Sequence, residues 1–321
     1  MRSLIRGLWC CLAACLLAGG AQAETYPSRQ ITIVVPFAAG SGTDSIARII
    51  GQQLSVALQQ SVVIENKVGA SGVIAATYVA RSAPDGYTLL MATNSTHSAN
   101  PFLFKSLSYD PVKDFAPVAR AGSYVFMLVV NKDLPVKTLP ELVAHAKANP
   151  GKLTYASGNT TGIVAGETLK SRAGIDVLQV PYKSTPPALN DVIGGRVSMM
   201  FIDLAPGLEH VRAGTLRALA VTTRERSALL PDLPSLHEAG IPGYDVTSWA
   251  GLFAPTGTPP DIVSRLNEEV RKIIADPDSK AKIAVTGFDA FSGPPETLAA
   301  FVQSELVTWG KLIKDAGIEP Q

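Results

Sequence analysis

The sequence predicts an α/β fold: two doubly wound lobes facing each other across a cleft. Three observations carry this. Short apolar, β-branched runs alternate with helical periodicities through most of the 321 residues, the pattern of parallel strands covered by helices. A strand–polar loop–helix unit recurs at 31–58, 88–98, 152–173 and 197–213. Two of these units fall in each half of the chain, which fits two similar lobes better than one continuous sheet.

Each element has a local reason. Ile31 to Val35 is largely apolar and β-branched, as expected of a strand buried on both faces. After a Gly/Ser/Thr loop, Ile46, Ile49, Ile50, Leu54 and Leu58 repeat at helical spacing, predicting a helix over 45–58. Ser61 to Glu65 reads as a strand, Ile74 to Arg81 as a helix, and Thr88 to Ala92 as a strand opening into the polar turn Thr93 to His97. Tyr124 to Val130 is again strand-like. Thr138 and Pro140 start a helix over 139–148. Lys152 to Ala156 is a strand, followed by a polar loop and a helix from about Ile163 to Ala173. Leu178 to Pro181, Val197 to Ile202, Leu216 to Thr222 and Trp249 to Ala254 read as further strands, with a helix at Pro187 to Ile193. Two helices finish the chain, Pro260 to Ile274 and Glu296 to Ala316. Crossings between lobes are expected near Gly122-Ser123 and Pro242-Gly243-Tyr244. That gives a first lobe of 24–122 plus 245–321 and a second of 123–244.

The N-terminus reads as a signal peptide over 1–23. Arg2 and Arg6 precede the apolar run Leu8 to Leu17, and Ala21-Gln22-Ala23 gives a small-x-small site with cleavage before Glu24. A lipoprotein box ending at Cys15 is the competing reading. Cys10, Cys11 and Cys15 all lie in this leader, so a mature chain has no disulfides. The 28 basic and 27 acidic residues are balanced and unclustered, which excludes a nucleic-acid surface. The reading is of an exported, periplasmic chain, monomeric and without cofactor.

Two loops stand out chemically. Phe37, Ala38, Ala39, Gly40, Ser41, Gly42, Thr43 and Asp44 join a buried strand to a helix; Ser157, Gly158, Asn159, Thr160, Thr161 and Gly162 do the same in the second half. Ligands gather at the carboxyl ends of strands in such sheets, and a helix start offers unpaired N–H groups and a positive dipole end. Neither loop contains Lys or Arg. Such loops suit carboxylates held by charge-assisted hydrogen bonds, worth roughly 1.5–3 kcal/mol each. Both are also ordinary glycine-bearing turns with good caps when taken singly. Asp44 supports its helix start or meets a ligand ammonium. Asn94, Ser95 and Thr96 can bond ligand oxygen or simply form a turn. Tyr182 and Asp203 fall at strand ends, where Tyr182 can line the cleft and Asp203 can cap the end or meet the ligand; Phe37 packs over a ligand or fills the lobe interface.

Enzyme signatures are sparse. No nucleophile elbow, P-loop or dinucleotide fingerprint is present. His97, His145, His210 and His237 lack metal-ligand spacing; His145 and His210 read as exposed helix residues, and His97 as part of a solvated turn. An exported hydrolase or transferase would need Ser157 or Ser95 paired with His97.

An ordered series of motifs carries a resemblance. Tyr26-Pro27 precedes Ile31 to Phe37 and Gly40 to Asp44. Then come Glu65-Asn66-Lys67, Gly69 to Gly72 and Pro84 to Leu89, followed by Tyr155-Ala156-Ser157, Val180 to Lys183 and Asp191 to Gly195. Pro231 to Ser235, Glu238-Ala239-Gly240 and Phe253 to Pro259 close it. The chain resembles the Bug family, the extracytoplasmic solute receptors of tripartite tricarboxylate transporters. The resemblance implies a periplasmic binding protein-like (Venus flytrap) fold, no enzymatic activity, and capture of a small carboxylate by the loops at Phe37 to Asp44 and Ser157 to Gly162. It also implies membrane permease subunits as partners, with a sensor kinase as the alternative. One departure matters: many relatives have a longer second loop ending in His, where this chain has Thr161-Gly162-Ile163-Val164.

Overall fold

The computed structural model describes residues 25–321. The leader, its three cysteines and the cleavage point before Glu24 lie outside those residues. In chain order the elements are β1 (Ile31–Val35), α1 (Gly42–Leu58), β2 (Val62–Asn66), α2 (Val73–Ala80), β3 (Thr88–Thr93), α3 (Asn100–Leu103), β4 (Phe115–Tyr124) and β5 (Phe126–Asn131). There follow α4 (Leu139–Ala148), β6 (Thr154–Ser157), α5 (Thr160–Ala173), β7 (Leu178–Pro181), α6 (Thr185–Ile193), β8 (Met199–Asp203), α7 (Leu204–Arg212) and β9 (Leu216–Val221). The chain ends with β10 (Ser248–Pro255), α8 (Pro260–Ala275), α9 (Pro277–Ala284), β11 (Phe288–Ala290) and α10 (Pro295–Asp315).

The strands form two sheets, in the orders β11-β4-β10-β3-β1-β2 and β7-β6-β8-β5-β9. One end of each sheet is parallel, as the alternating pattern predicts: β1 with β2 and β3, and β6 with β7 and β8. The crossing strands run the other way. β10 is antiparallel to β3 and β4, and β5 is antiparallel to β8 and β9. A strand arriving from the opposite sheet enters at the carboxyl end of the local strands, so it must run against them.

This arrangement places the site. In the first sheet Tyr124 pairs with Ser248 and Thr93 with Ala250, and in the second Phe126 pairs with Asp203. The carboxyl ends of β3 and β8 and both crossings therefore converge on one seam. The chain leaves the first sheet after Tyr124 and enters the second at Phe126. Tyr244 still belongs to the second: its hydroxyl donates to the Ala165 carbonyl at 2.7 Å, and its ring stacks on Phe201.

Several elements differ from expectation. α1 and α5 start three residues earlier than periodicity predicts, at Gly42 and Thr160. Apolar spacing marks the buried stripe, whereas Ser41 and Asn159 set the first turn by capping: Ser41 Oγ accepts from Asp44 N at 3.3 Å and Asn159 Oδ1 from Gly162 N at 2.8 Å. β4, a bulged strand containing Pro117, Arg120 and Gly122, was not anticipated, nor were α9 and β11. The supposed polar turn after β3 is a wide π-type turn, Ser95–Ala99, running into α3, and Ser95 to Asn100 is buried throughout. Among the described residues, no helix is long and apolar enough to cross a membrane.

Candidate functional site

Every β1 residue but Thr32 is buried, and the strand delivers Phe37 beneath the second sheet, where its ring is 4% exposed. The loop then turns through Gly40, whose φ of +81° is a left-handed conformation that disfavours any side chain. Asp44 organises this loop from inside. Its carboxylate accepts from Gly40 N at 3.0 Å, Arg48 Nε at 2.9 Å and Asn66 Nδ2 at 2.8 Å. Burial works to raise its pKa, but these donors outweigh it and hold the group below the usual aspartate value. With its oxygens committed, Asp44 supports the loop rather than reaching for a ligand. Asn66 also donates to the Phe37 carbonyl at 2.8 Å, tying loop to β2.

In the second lobe the loop is short, Gly158-Asn159, and Thr160 to Gly162 form the first turn of α5. Gly158 lies against backbone: a Cβ there would come within 2.6 Å of Ser184 C and Thr185 N. Ser157 Oγ accepts from Gln179 Nε2 at 2.8 Å.

The two helix starts line one cavity, and hydrogen bonds close the seam around it. Ala38 N donates to Ser184 Oγ at 3.0 Å, Asn94 Nδ2 to Thr161 Oγ1 at 2.9 Å, and Thr160 Oγ1 to Ser95 Oγ at 2.5 Å. Ser248 Oγ donates to Asn94 Oδ1, fixing the amide's orientation. Between them lies a cavity of about 10 Å³, room for a single water. Its walls are Phe37, Thr43, Asn94, Ser95, Asn159, Thr161 and Asp203, all named by the sequence, with Thr93, Tyr124, Phe126 and Ser248, which it did not name. No Lys or Arg is among them. Gly42 and Thr43 in α1, and Thr160 and Thr161 in α5, occupy first-turn positions whose N–H groups have no helical acceptor.

Some expected residues stand apart. Tyr182 donates its hydroxyl to Asp191 Oδ2 at 2.6 Å, within its own lobe. Ala39 and Gly40 are exposed. Thr96 is fully buried beneath the cleft, bonded to His97 Nδ1 at 3.0 Å. His97 is not in a solvated turn. Its ring packs on Phe253 at 4.2 Å and Phe115 at 4.7 Å, and burial drives its pKa down to about 3. Its remaining nitrogen has no partner, and neither Ser95 nor Ser157 bonds to it. The serine–histidine pair that hydrolysis would need is not assembled. His145 and His210 lie half-buried on α4 and α7.

Asp203 is buried like Asp44 but lacks its donors. It ends β8 at the N-cap of α7 but caps nothing with its side chain. It is 5% exposed, its Oδ1 has no hydrogen-bond partner, and burial pushes its pKa up to about 7.

Two α/β lobes, joined by antiparallel crossing strands and facing each other through paired helix starts over a polar seam, define a two-lobed solute-binding protein. The comparisons agree. The model of the tripartite tricarboxylate transporter family receptor matches residues 46–318. The chain is 40% identical over 294 residues to a UPF0065 protein in the tcbD-tcbE intergenic region of Pseudomonas sp. strain P51, covering 90% of this chain and 87% of that one. It is 34% identical to protein BugT of Bordetella pertussis over 310 residues, 95% of each. Among solved structures, an R. palustris protein with adipate superposes with a TM-score of 0.90 at 38% identity, over 92% of this chain and 100% of that one. MatC from Rhodopseudomonas palustris with bound malate gives 0.83 at 35%, over 90% and 100%. The chain belongs to the receptor family of the tripartite tricarboxylate transporters.

Proposed function

We propose that this protein is a periplasmic receptor that closes on a small carboxylated solute and hands it to the membrane permease subunits of a tripartite transporter. The observation that carries this is the meeting of two capped helix starts, at Gly42 and Thr160, over one polar seam with no basic side chain in its walls. In this reading the free first-turn N–H groups and the hydroxyls of Thr43 and Thr161 hold the carboxylate. A 10 Å³ cavity cannot admit an organic acid, so the lobes must part to load and then close over the solute to a wider seam than this one. The crossings after Tyr124 and before Ser248 are the hinges, and we divide the lobes there. The adipate and malate held by the two R. palustris relatives support the ligand class.

Thermal shift and titration calorimetry across mono-, di- and tricarboxylates test the reading. A bound acid raises Tm as mass action requires, and Thr161→Val weakens that binding. If no organic acid shifts Tm or gives heat, the proposal fails.

A further inference from the structure

The cleft contains an acid that carboxylate capture alone does not explain. A buried carboxylate costs free energy unless donors reach it, and Asp203 has none for Oδ1 although Asp44, across the seam, has three. Its position is specific. A Cβ built on Gly42 would lie 2.3 Å from Asp203 Oδ1 and 2.8 Å from its Cγ, so the second lobe's carboxylate rests directly on the first turn of α1. Tyr124, at the hinge, is 3.3 Å from the same point, and its hydroxyl is likewise buried without a partner. Asp203 therefore occupies the helix start that the solute carboxylate also seeks. Two carboxylates this close repel, and no Lys or Arg lines the cavity to neutralise them. Below about pH 7 the proton on Asp203 relieves the conflict; above it, the conflict disappears when the solute brings its own donor between its carboxylate and Asp203.

Resting on the receptor reading above, we infer that Asp203 is a specificity-determining residue: it accepts a hydrogen bond from a hydroxyl or ammonium group on the solute, so this receptor selects hydroxy- or amino-carboxylates over unsubstituted acids of equal length. The hydroxyl and ammonium share the donor chemistry and differ in charge, which the test separates. An unsubstituted acid leaves Oδ1 unsatisfied in a site closed to bulk water, a recognition defect of the kind that discriminates strongly.

Calorimetry on the wild-type protein at pH 7.5 uses matched sets: succinate, malate and aspartate; glutarate, 2-hydroxyglutarate and glutamate; adipate, 2-hydroxyadipate and 2-aminoadipate. The expected result is that, at the chain length that binds best, a substituted acid binds at least about tenfold more tightly than its plain counterpart. In Asp203→Asn the ammonium ratio shrinks to about threefold or less because charge pairing is lost, whereas in Asp203→Ala, which leaves no acceptor at all, the hydroxyl ratio shrinks to about threefold or less as well. The ratio is internal to each protein, so partial unfolding of the variant does not mimic it. Plain acids that bind as well as or better than substituted ones at every length overturn the inference and leave the receptor reading standing. So does a wild-type preference that Asp203→Ala retains in full. If none of these acids, nor any in the broader panel, binds, both readings fall together.

Discussion

The Asn94 side-chain amide donates to the Thr161 hydroxyl at 2.9 Å across the seam, and its own oxygen is held by Ser248 on the returning strand. One side chain thus links β3, β10 and α5. Asn94→Ala removes the bridge and leaves Ser248 and Thr161 to find water. The expected cost is one hydrogen bond in the closed form, roughly tenfold in solute affinity, with little effect on Tm in the absence of solute. Calorimetry with the best-binding acid, alongside small-angle scattering for a larger radius of gyration without solute, checks this.

Two glycines near the seam make opposite demands. A Cβ at Gly42 meets the carboxylate of the other lobe, whereas a Cβ at Gly158 meets backbone of its own. Gly42→Ala is expected to obstruct closure, weakening solute binding at least about tenfold while Tm without solute stays within about 2 °C of wild type. Gly158→Ala is expected to destabilise the second lobe by about 1–3 kcal/mol. Denaturant melts with and without solute separate the two; a large stability loss in Gly42→Ala would contradict its assignment to closure.

Asp44 holds the first loop through three donors. Its folded pKa lies below the unfolded value of 3.8, so its contribution is present above that value and is lost as pH falls through the folded one. Asp44→Ala is expected to cost on the order of 2–3 kcal/mol at pH 7. Urea melts should show the gap between variant and wild type narrowing below about pH 4. An equal gap at pH 7 and pH 3 would show that loop packing, not charge, sets the effect.

Asp203 and His97 pull stability in opposite directions. Asp203 keeps its proton up to about pH 7 when folded but only to 3.8 when unfolded. The folded state therefore binds more protons between those values, and stability falls as pH rises. His97 titrates near 3 when folded and 6.5 when unfolded, so there the unfolded chain binds more protons and stability falls as pH drops. From about pH 4 to 6.5 the slopes offset each other, each up to about 1.4 kcal/mol per pH unit. Asp203→Asn removes one of them. It is expected to raise Tm at pH 7.5 and to lose Tm faster than wild type on acidification. Scanning calorimetry in half-unit steps from pH 4.5 to 8 measures this, and superimposable profiles would rule it out.

The sequence places both helices but starts each three residues late, because apolar spacing marks only the buried stripe, whereas the true starts are set by Ser41 and Asn159, within three residues of the N–H groups they bind. The walls supplied by Tyr124, Phe126 and Ser248 could not be read from sequence, because they follow from the registers Tyr124 with Ser248 and Phe126 with Asp203, set across long chain separations. His97 was misread for the same reason. A run of Thr, Asn, Ser and His looks solvated until Phe115 and Phe253 close over it from distant strands. For Asp203 the sequence leaves a cap and a ligand contact both open, because it ends a strand before a helix; its unused oxygen and its nearness to Gly42 argue against the cap. β4 escaped notice because Pro117 and Gly122 interrupt its pattern, and bulges in its pairing with β10 accommodate them.

The order of strands in the two sheets also bears on how the molecule is assembled. All five strands of the second sheet lie between residues 126 and 221, an unbroken stretch of chain. The first sheet has β10, residues 248–255, wedged between β3 and β4, and β11 at its edge beyond residue 287. A chain emerging from its N-terminus can complete the second lobe while the first still lacks a central strand. The lobe that begins the sequence thus cannot complete its sheet until the chain has supplied residues 248–290, whereas its neighbour needs nothing beyond residue 221 for its strands.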